Sequence, residues 1–111
     1  MKKYYDCPTE ATLEVLAGKW KTIILYYLEE SPRRFSELEK LLETCSERML
    51  AKQLTELQQH GLIQKEMFAE MPPRSVYSLT DYGRTLLPII DAMCAWGETH
   101  LERTGKISVY N

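Results

Sequence analysis

Residues 46–83, "SERMLAKQLTELQQHGLIQKEMFAEMPPRSVYSLTDYG", change periodicity twice. From Ser46 to His60, Leu50, Leu54 and Leu57 recur at the i, i+3, i+4 spacing of one helix face. Ser46 supplies a hydroxyl cap for the first turn. Gly61 supplies a stop, because glycine accepts the left-handed backbone past a helix end. Beyond it, "LIQKEMFAE" and "SVYSL" are β-prone runs. Pro72 and Pro73 belong to the loop between them, since proline has no N–H to donate to a ladder. A capped helix is therefore followed by a hairpin with prolines at its tip.

Upstream, Ser36 followed by Glu39 reads as a capping box opening a short helix. Leu38, Leu41 and Leu42 form its apolar stripe, and it ends near Glu43. The few residues before Ser46 match a helix-turn-helix corner, which places that unit at about 36–60 and the hairpin at about 62–79. Pro8 fits a first helical position and puts Cys7 at or next to the N-cap of a helix running to about Ala17. A second helix starts near Lys19, with Trp20, Ile23, Ile24, Tyr27 and Leu28 on one face, and stops at Ser31-Pro32. Arg33 to Phe35 is a single extended segment. Downstream, Thr80 caps a last helix over about 80–104, with Pro88 inside it as a kink.

At 111 residues and 44% hydrophobic content the chain reads as one domain, 1–111, with a modest core. A net charge of −2 excludes a globally basic nucleic-acid binder, so any DNA contact must use a local face. No apolar run follows Lys2 and Lys3, and "TIILYYL" is far short of the roughly 20 residues of a membrane span. Three cysteines at wide spacing do not form a disulfide framework, so a cytoplasmic protein with reduced thiols is expected. His60 and His100 have no partner at metal-ligand spacing. No phosphate loop, nucleophile elbow or paired-carboxylate motif is present, and neither an enzyme nor a cofactor is expected.

On a helical wheel Arg48, Lys52, Thr55 and Gln59 lie opposite the leucines. Arginine can pair with guanine, glutamine with adenine, and either cation with phosphate. The same row also suits an ordinary solvated face; the corner before it and the hairpin after it favour DNA. Arg74 at the hairpin tip suits backbone or minor-groove contact, or a plain surface turn. Together these elements make a mostly α fold with a small β-hairpin, a winged helix-turn-helix. An interaction module without specific DNA binding is the alternative, and the acidic pI of 5.7 suits it.

Seven segments in order carry a more specific signal: "CP" at 7–8, "GKWKTIIL" at 18–25, "RRFSEL" at 33–38, "SERMLAKQLTEL" at 46–57, "GLI" at 61–63, "PPRSVYSLTDYG" at 72–83 and "WG" at 96–97. In these the chain resembles the HxlR-type winged helix-turn-helix regulators of bacteria and archaea, from Cys7 to about His100. The resemblance implies a homodimeric transcription factor that binds double-stranded DNA through its fourth helix and wing and pairs through its terminal helices. Carried onto this chain, Arg48, Lys52 and Gln53 sit at recognition positions and Arg74 at the wing arginine. The wheel, however, turns Gln53 towards the buried side. Cys45 and Glu47 depart from the residues usual in that family, and Glu47 would repel phosphate.

The last helix carries Leu86, Leu87, Ile89, Ile90, Met93, Trp96 and Leu101, an apolar band wider than one small core can cover. Ile89, Ile90, Met93 and Trp96 are therefore expected at a two-fold interface, with a half-site spacing near one helical turn or a multiple. Cys7, at a helix start beside lysines, is a candidate thiolate, because the helix dipole and free N–H groups favour the anion. Some members of the resembled family respond to oxidants, quinones or aldehydes through a cysteine at this point, which makes a small-molecule or oxidant effector an expected partner. Plain packing at the interface is the other reading of Cys7. Cys45, just before the Ser46 cap, is expected to be structural, and Cys94 to lie in core or interface.

Overall fold

The computed structural model describes residues 3–108. Lys2, expected to aid Cys7, lies outside them. In chain order the elements are α1 (Pro8–Val15), α2 (Trp20–Glu30), β1 (Arg33–Arg34), α3 (Phe35–Leu41), α4 (Glu47–Gln59), β2 (Ile63–Phe68), β3 (Arg74–Leu79), α5 (Asp81–Arg84) and α6 (Leu87–Thr104). This is a winged helix-turn-helix. One buried cluster joins Ile24, Leu25 and Leu28 of α2, Leu38 of α3, Leu50, Leu54 and Leu57 of α4, Tyr77 and Leu79 of β3, and Ile90 of α6.

The sheet is antiparallel, in the order β1-β3-β2. Arg33 and Arg34 do more than extend the chain: they pair with Tyr77 and Val76 and add a third strand to the hairpin. Register sorts the side chains by parity, since neighbours along a strand face opposite sides. Ile63, Tyr77 and Leu79 lie on the core side and are buried, with Arg33 half-buried and Lys65 exposed on the same face of the sheet. Gln64–Ser78, Glu66–Val76, Phe68–Arg74 and Arg34 face outward.

Ser46 caps α4 as its sequence predicts, its Oγ accepting from the Met49 N–H at 3.1 Å. At the other end the Leu62 N–H reaches the Leu57 carbonyl (3.0 Å) and the Gly61 N–H the Gln58 carbonyl (2.9 Å). These are the two bonds of a Schellman stop, and Gly61 takes the φ of 74° that the motif needs.

Three sequence expectations are corrected. α3 starts at Phe35 rather than after Ser36: strand pairing extends Arg34, whose N–H then donates to Glu37 Oε1 at 2.9 Å. α1 ends at Val15, two residues early. The terminal segment is two helices, not one kinked helix. Thr80 caps the four-residue α5 through the Gly83 N–H (2.9 Å), and α6 begins afresh at Leu87. Pro88 thus falls in a first turn, where its missing N–H breaks no helical bond.

Candidate nucleic-acid interface

α4 is positioned by its leucines, with Leu50, Leu54 and Leu57 fully or almost fully buried. Arg48, Lys52, Thr55 and Gln59 are exposed along the other side. Arg48 and Lys52 are one helical turn apart, about 6 Å along the axis. The Thr55 hydroxyl donates to the Ala51 carbonyl at 3.0 Å, leaving its oxygen as an acceptor. Gln53 does not share this face. It is only 8% exposed, its Nε2 donates to Met49 Sδ at 3.3 Å, and its Oε1 has no partner. The structure therefore turns Gln53 inward, as the wheel indicates, because position 53 lies beside Leu50, Leu54 and Leu57.

The helix also carries Glu56, whose carboxylate is drawn to α2. Lys21 Nζ lies 2.7 Å from Glu56 Oε2 and 3.4 Å from the Ala17 carbonyl. The hydrogen bond from Lys21 holds the Glu56 carboxyl below the usual range, against a partial desolvation that pushes it up. Lys21 is a buried cation that the α2 periodicity did not flag. Its only sequence signal is a lysine one residue from the apolar stripe.

In the wing, Arg74 is not a free cation at the tip. It opens β3 opposite Phe68, with its guanidinium 4.4 Å over that ring. Its Nη2 lies 3.1 Å from Glu70 Oε1. The tip proper is Met71, Pro72 and Pro73, all exposed, and the Met71–Pro72 bond is cis.

The expected interface residues divide. Ile90 is buried in the chain's own core at 4% exposure, so it is not available to a partner. Ile89 is exposed, Met93 is 50% exposed and Trp96 69%, with Leu13 of α1 also exposed. Trp96 stacks on His100 at a centroid distance of 5.0 Å. Acidic groups collect nearby on α2 and α6. Desolvation first, then the charge and hydrogen bond of Asp91, push the Glu29 carboxyl up.

The three thiols differ. Cys7 is exposed and is the N-cap of α1, in extended backbone. Its Sγ lies 3.4 Å from Thr9 Oγ1, and hydrogen bonds from the Thr9 hydroxyl and N–H lower its pKa. Cys45 is buried, and burial pushes its thiol up. Cys94, expected in core or interface, is exposed in the single chain. Desolvation, Glu98 and Asp91 push its thiol up. Among the described residues no group of three or more His, Cys, Asp or Glu side chains is placed to hold a metal ion. No helix there is long and apolar enough to cross a membrane.

Residues 15–105 match the model of the HxlR-like helix-turn-helix family. The chain is 46% identical to the uncharacterized HTH-type transcriptional regulator YdeP of Bacillus subtilis (strain 168) over 104 residues, 94% of this chain and 81% of YdeP. Among solved structures it is similar to the redox regulator HypR in its reduced form, with a TM-score of 0.85, 39% identity, and coverage of 89% of this chain and 98% of HypR. It is also similar to the reduced transcriptional regulator YodB from B. subtilis, with a TM-score of 0.74, 30% identity, and coverage of 85% and 93%. The chain belongs to the HxlR-like helix-turn-helix family.

Proposed function

We propose that this chain is a sequence-specific transcriptional regulator that binds an inverted-repeat operator as a homodimer. The carrying observation is α4 itself: it is packed by three leucines, capped at both ends and stands beside a hairpin, with Arg48, Lys52 and Thr55 exposed. An α-helix fits a major groove, where such side chains meet base edges and phosphates. Relatives named as transcriptional regulators support this reading and a non-enzymatic role. A regulator of this kind works in the compartment that holds the DNA, the cytoplasm.

The homodimer reading rests on the apolar surface of the terminal helices. Leu13, Ile89, Met93 and Trp96 are large hydrophobic side chains exposed on α1 and α6, and two-fold pairing would cover them. Thiol sensing is the third part of the proposal. Cys7 combines access with a lowered pKa, and HypR is named a redox regulator. An electrophile or oxidant acting at Cys7 would change the pairing of α1 across the dimer, and with it the spacing of the two α4 helices.

The test is a mobility shift of the purified chain against DNA from upstream of its own gene, titrated with salt. A specific complex that weakens steeply as salt rises supports the reading. Equal weak binding to all duplexes turns the assignment to an interaction module.

A further inference from the structure

Arg74 raises a question that its place in the wing does not answer. Its side chain is only 28% exposed, its Nη2 is bound to Glu70, and its Nε is buried without a hydrogen-bond partner. A guanidinium carries five donors in a fixed fork, and a buried one without an acceptor costs stability. Beside it lies a cleft of about 400 Å³ between the start of α3 and the tip of the wing. Arg34, Ser36, Glu39, Glu70, Pro73 and Arg74 are among its lining residues.

Strand register explains why two arginines meet there. Arg34 pairs with Val76, and Arg74 is two residues before Val76 on the same strand. Both therefore project from the outer face of the sheet as diagonal neighbours, with Cα atoms roughly 7–8 Å apart. One acceptor with several oxygens can sit between them. While Glu70 holds Arg74, the cleft has two arginines and two carboxylates. With Glu70 turned out, two arginines face Glu39 alone. Glu70 is free to turn, being 52% exposed. Arg74 would stay in place, because the Phe68 ring supports the guanidinium independently of the ion pair.

We infer that this cleft seats one backbone phosphate of the duplex between Arg74 and Arg34, and that Glu70 occupies Arg74 as a competing anion until the phosphate displaces it. This rests on the reading that α4 and the wing face DNA. A phosphodiester fits because its two unesterified oxygens can take the Nη2 of Arg74 and its unpartnered Nε in a bidentate fork, with Arg34 adding charge. Glu70 then sets affinity without touching DNA: its carboxylate keeps the arginine occupied in the free chain and lowers binding to every sequence equally.

The experiment measures anisotropy of the full chain on its upstream duplex and on copies carrying a methylphosphonate, a neutral linkage, at one position each. Glu70→Gln should bind roughly fivefold tighter, the upper end of what one exposed ion pair contributes. The same substitution in an Arg74→Ala background should add nothing. Arg34→Ala and Arg74→Ala should each weaken binding evenly across sequences, and the two together should flatten the salt slope by about one, the share of a single phosphate. At one phosphate, the neutral linkage should weaken the parent and leave the Arg34→Ala/Arg74→Ala double variant unchanged. Unchanged or weaker binding by Glu70→Gln, a gain that persists without Arg74, or no such phosphate position overturns the inference. A parent that binds no duplex overturns the DNA reading, and the inference with it.

Discussion

Lys21 Nζ and Glu56 Oε2 stand 2.7 Å apart, and this ion pair ties α2 to α4. Lys21 is 5% exposed, so its charge is almost fully removed from water, whereas the Glu56 side chain keeps about a third of its surface. The pair orients α4 against the core more strictly than leucine contacts alone, because a charge-assisted bond tolerates little rotation. Lys21→Ala leaves a partly desolvated Glu56 without its cation and a small void, with an expected loss of roughly 1–3 kcal/mol in urea unfolding.

The same contact sets a pH dependence. Glu56 has a folded pKa below its ordinary 4.5, so its contribution is present above that value and disappears as pH falls through the lowered one. Glu29 has the opposite sign. Its raised pKa means the folded chain gains relative stability as Glu29 protonates at low pH. Unfolding of Glu56→Gln against the parent between pH 6 and pH 3, on the order of the window in which carboxylates titrate, isolates the first effect. The difference between the two proteins should shrink towards the acid end. A constant difference would show that the Lys21 bond does not depend on the Glu56 charge.

Gly83 occupies a place no other residue fits. A Cβ there would sit 1.9 Å from the Leu62 carbonyl oxygen, a backbone atom held in turn by the Thr80 N–H at 3.1 Å. Thr80 also donates its hydroxyl to the Gly61 carbonyl at 2.6 Å, so the end of α4 and the start of α5 form one hydrogen-bonded joint. Gly83→Ala must push these apart. The expected loss is at or above the upper end of the ~1–3 kcal/mol typical of overpacking, read as a lower thermal midpoint. A parent-like midpoint would mean that the joint yields easily.

Ile90 and Met93 lie one turn apart on α6 with opposite expected roles. Ile90→Ala removes a buried side chain and should cost about 2–5 kcal/mol of unfolding stability. Met93→Glu places a charge on the exposed side, where the folded monomer tolerates it and a two-fold partner does not. Sedimentation of Met93→Glu should show a folded monomer where the parent is a dimer. A parent that is monomeric at micromolar concentration removes the homodimer.

On the DNA face, Arg48→Ala and Lys52→Ala should weaken operator binding. A residue touching a base edge should lose about 1–3 kcal/mol and relax specificity at one position. A residue touching phosphate should lose evenly across sequences. Parent-like binding by both variants would show that α4 does not enter the groove by this side.

α4 was legible because its signals are local: three leucines at helical spacing, Ser46 at one end and Gly61 at the other. What was missed depends on elements distant in sequence. Arg34 replaces Ser36 as the cap because β1 pairs with β3 some forty residues later. Ile90 and Ile89 look alike in the sequence, and only the packing of α6 against α2 decides that the first is buried. Pro88 reads as lying inside one long helix because nothing local shows that α5 stops after one turn. The candidate site shows the same division: Arg48, Lys52 and Thr55 follow from the wheel, whereas the grip of Glu70 on Arg74 requires a folded hairpin.

Cys7 carries the last prediction. Thiol attack requires thiolate and access, and of the three cysteines Cys7 alone combines an exposed sulfur with a lowered pKa. Cys45 is buried, and the thiol of Cys94, though exposed, is pushed up by partial desolvation and by the carboxylates of Glu98 and Asp91. Near neutral pH, iodoacetamide should therefore label Cys7 before Cys94, and Cys45 last in the folded chain. Thr9→Val should slow Cys7 labelling, because the hydroxyl that stabilises the thiolate is gone while the backbone N–H remains. Labelling rates resolved by peptide mass spectrometry check both points. Cys7→Ser should bind the operator like the parent but lose any change in affinity on oxidant treatment, and Cys94→Ser should keep that change. A response that survives in Cys7→Ser would assign sensing elsewhere and leave Cys7 as a packing residue of α1.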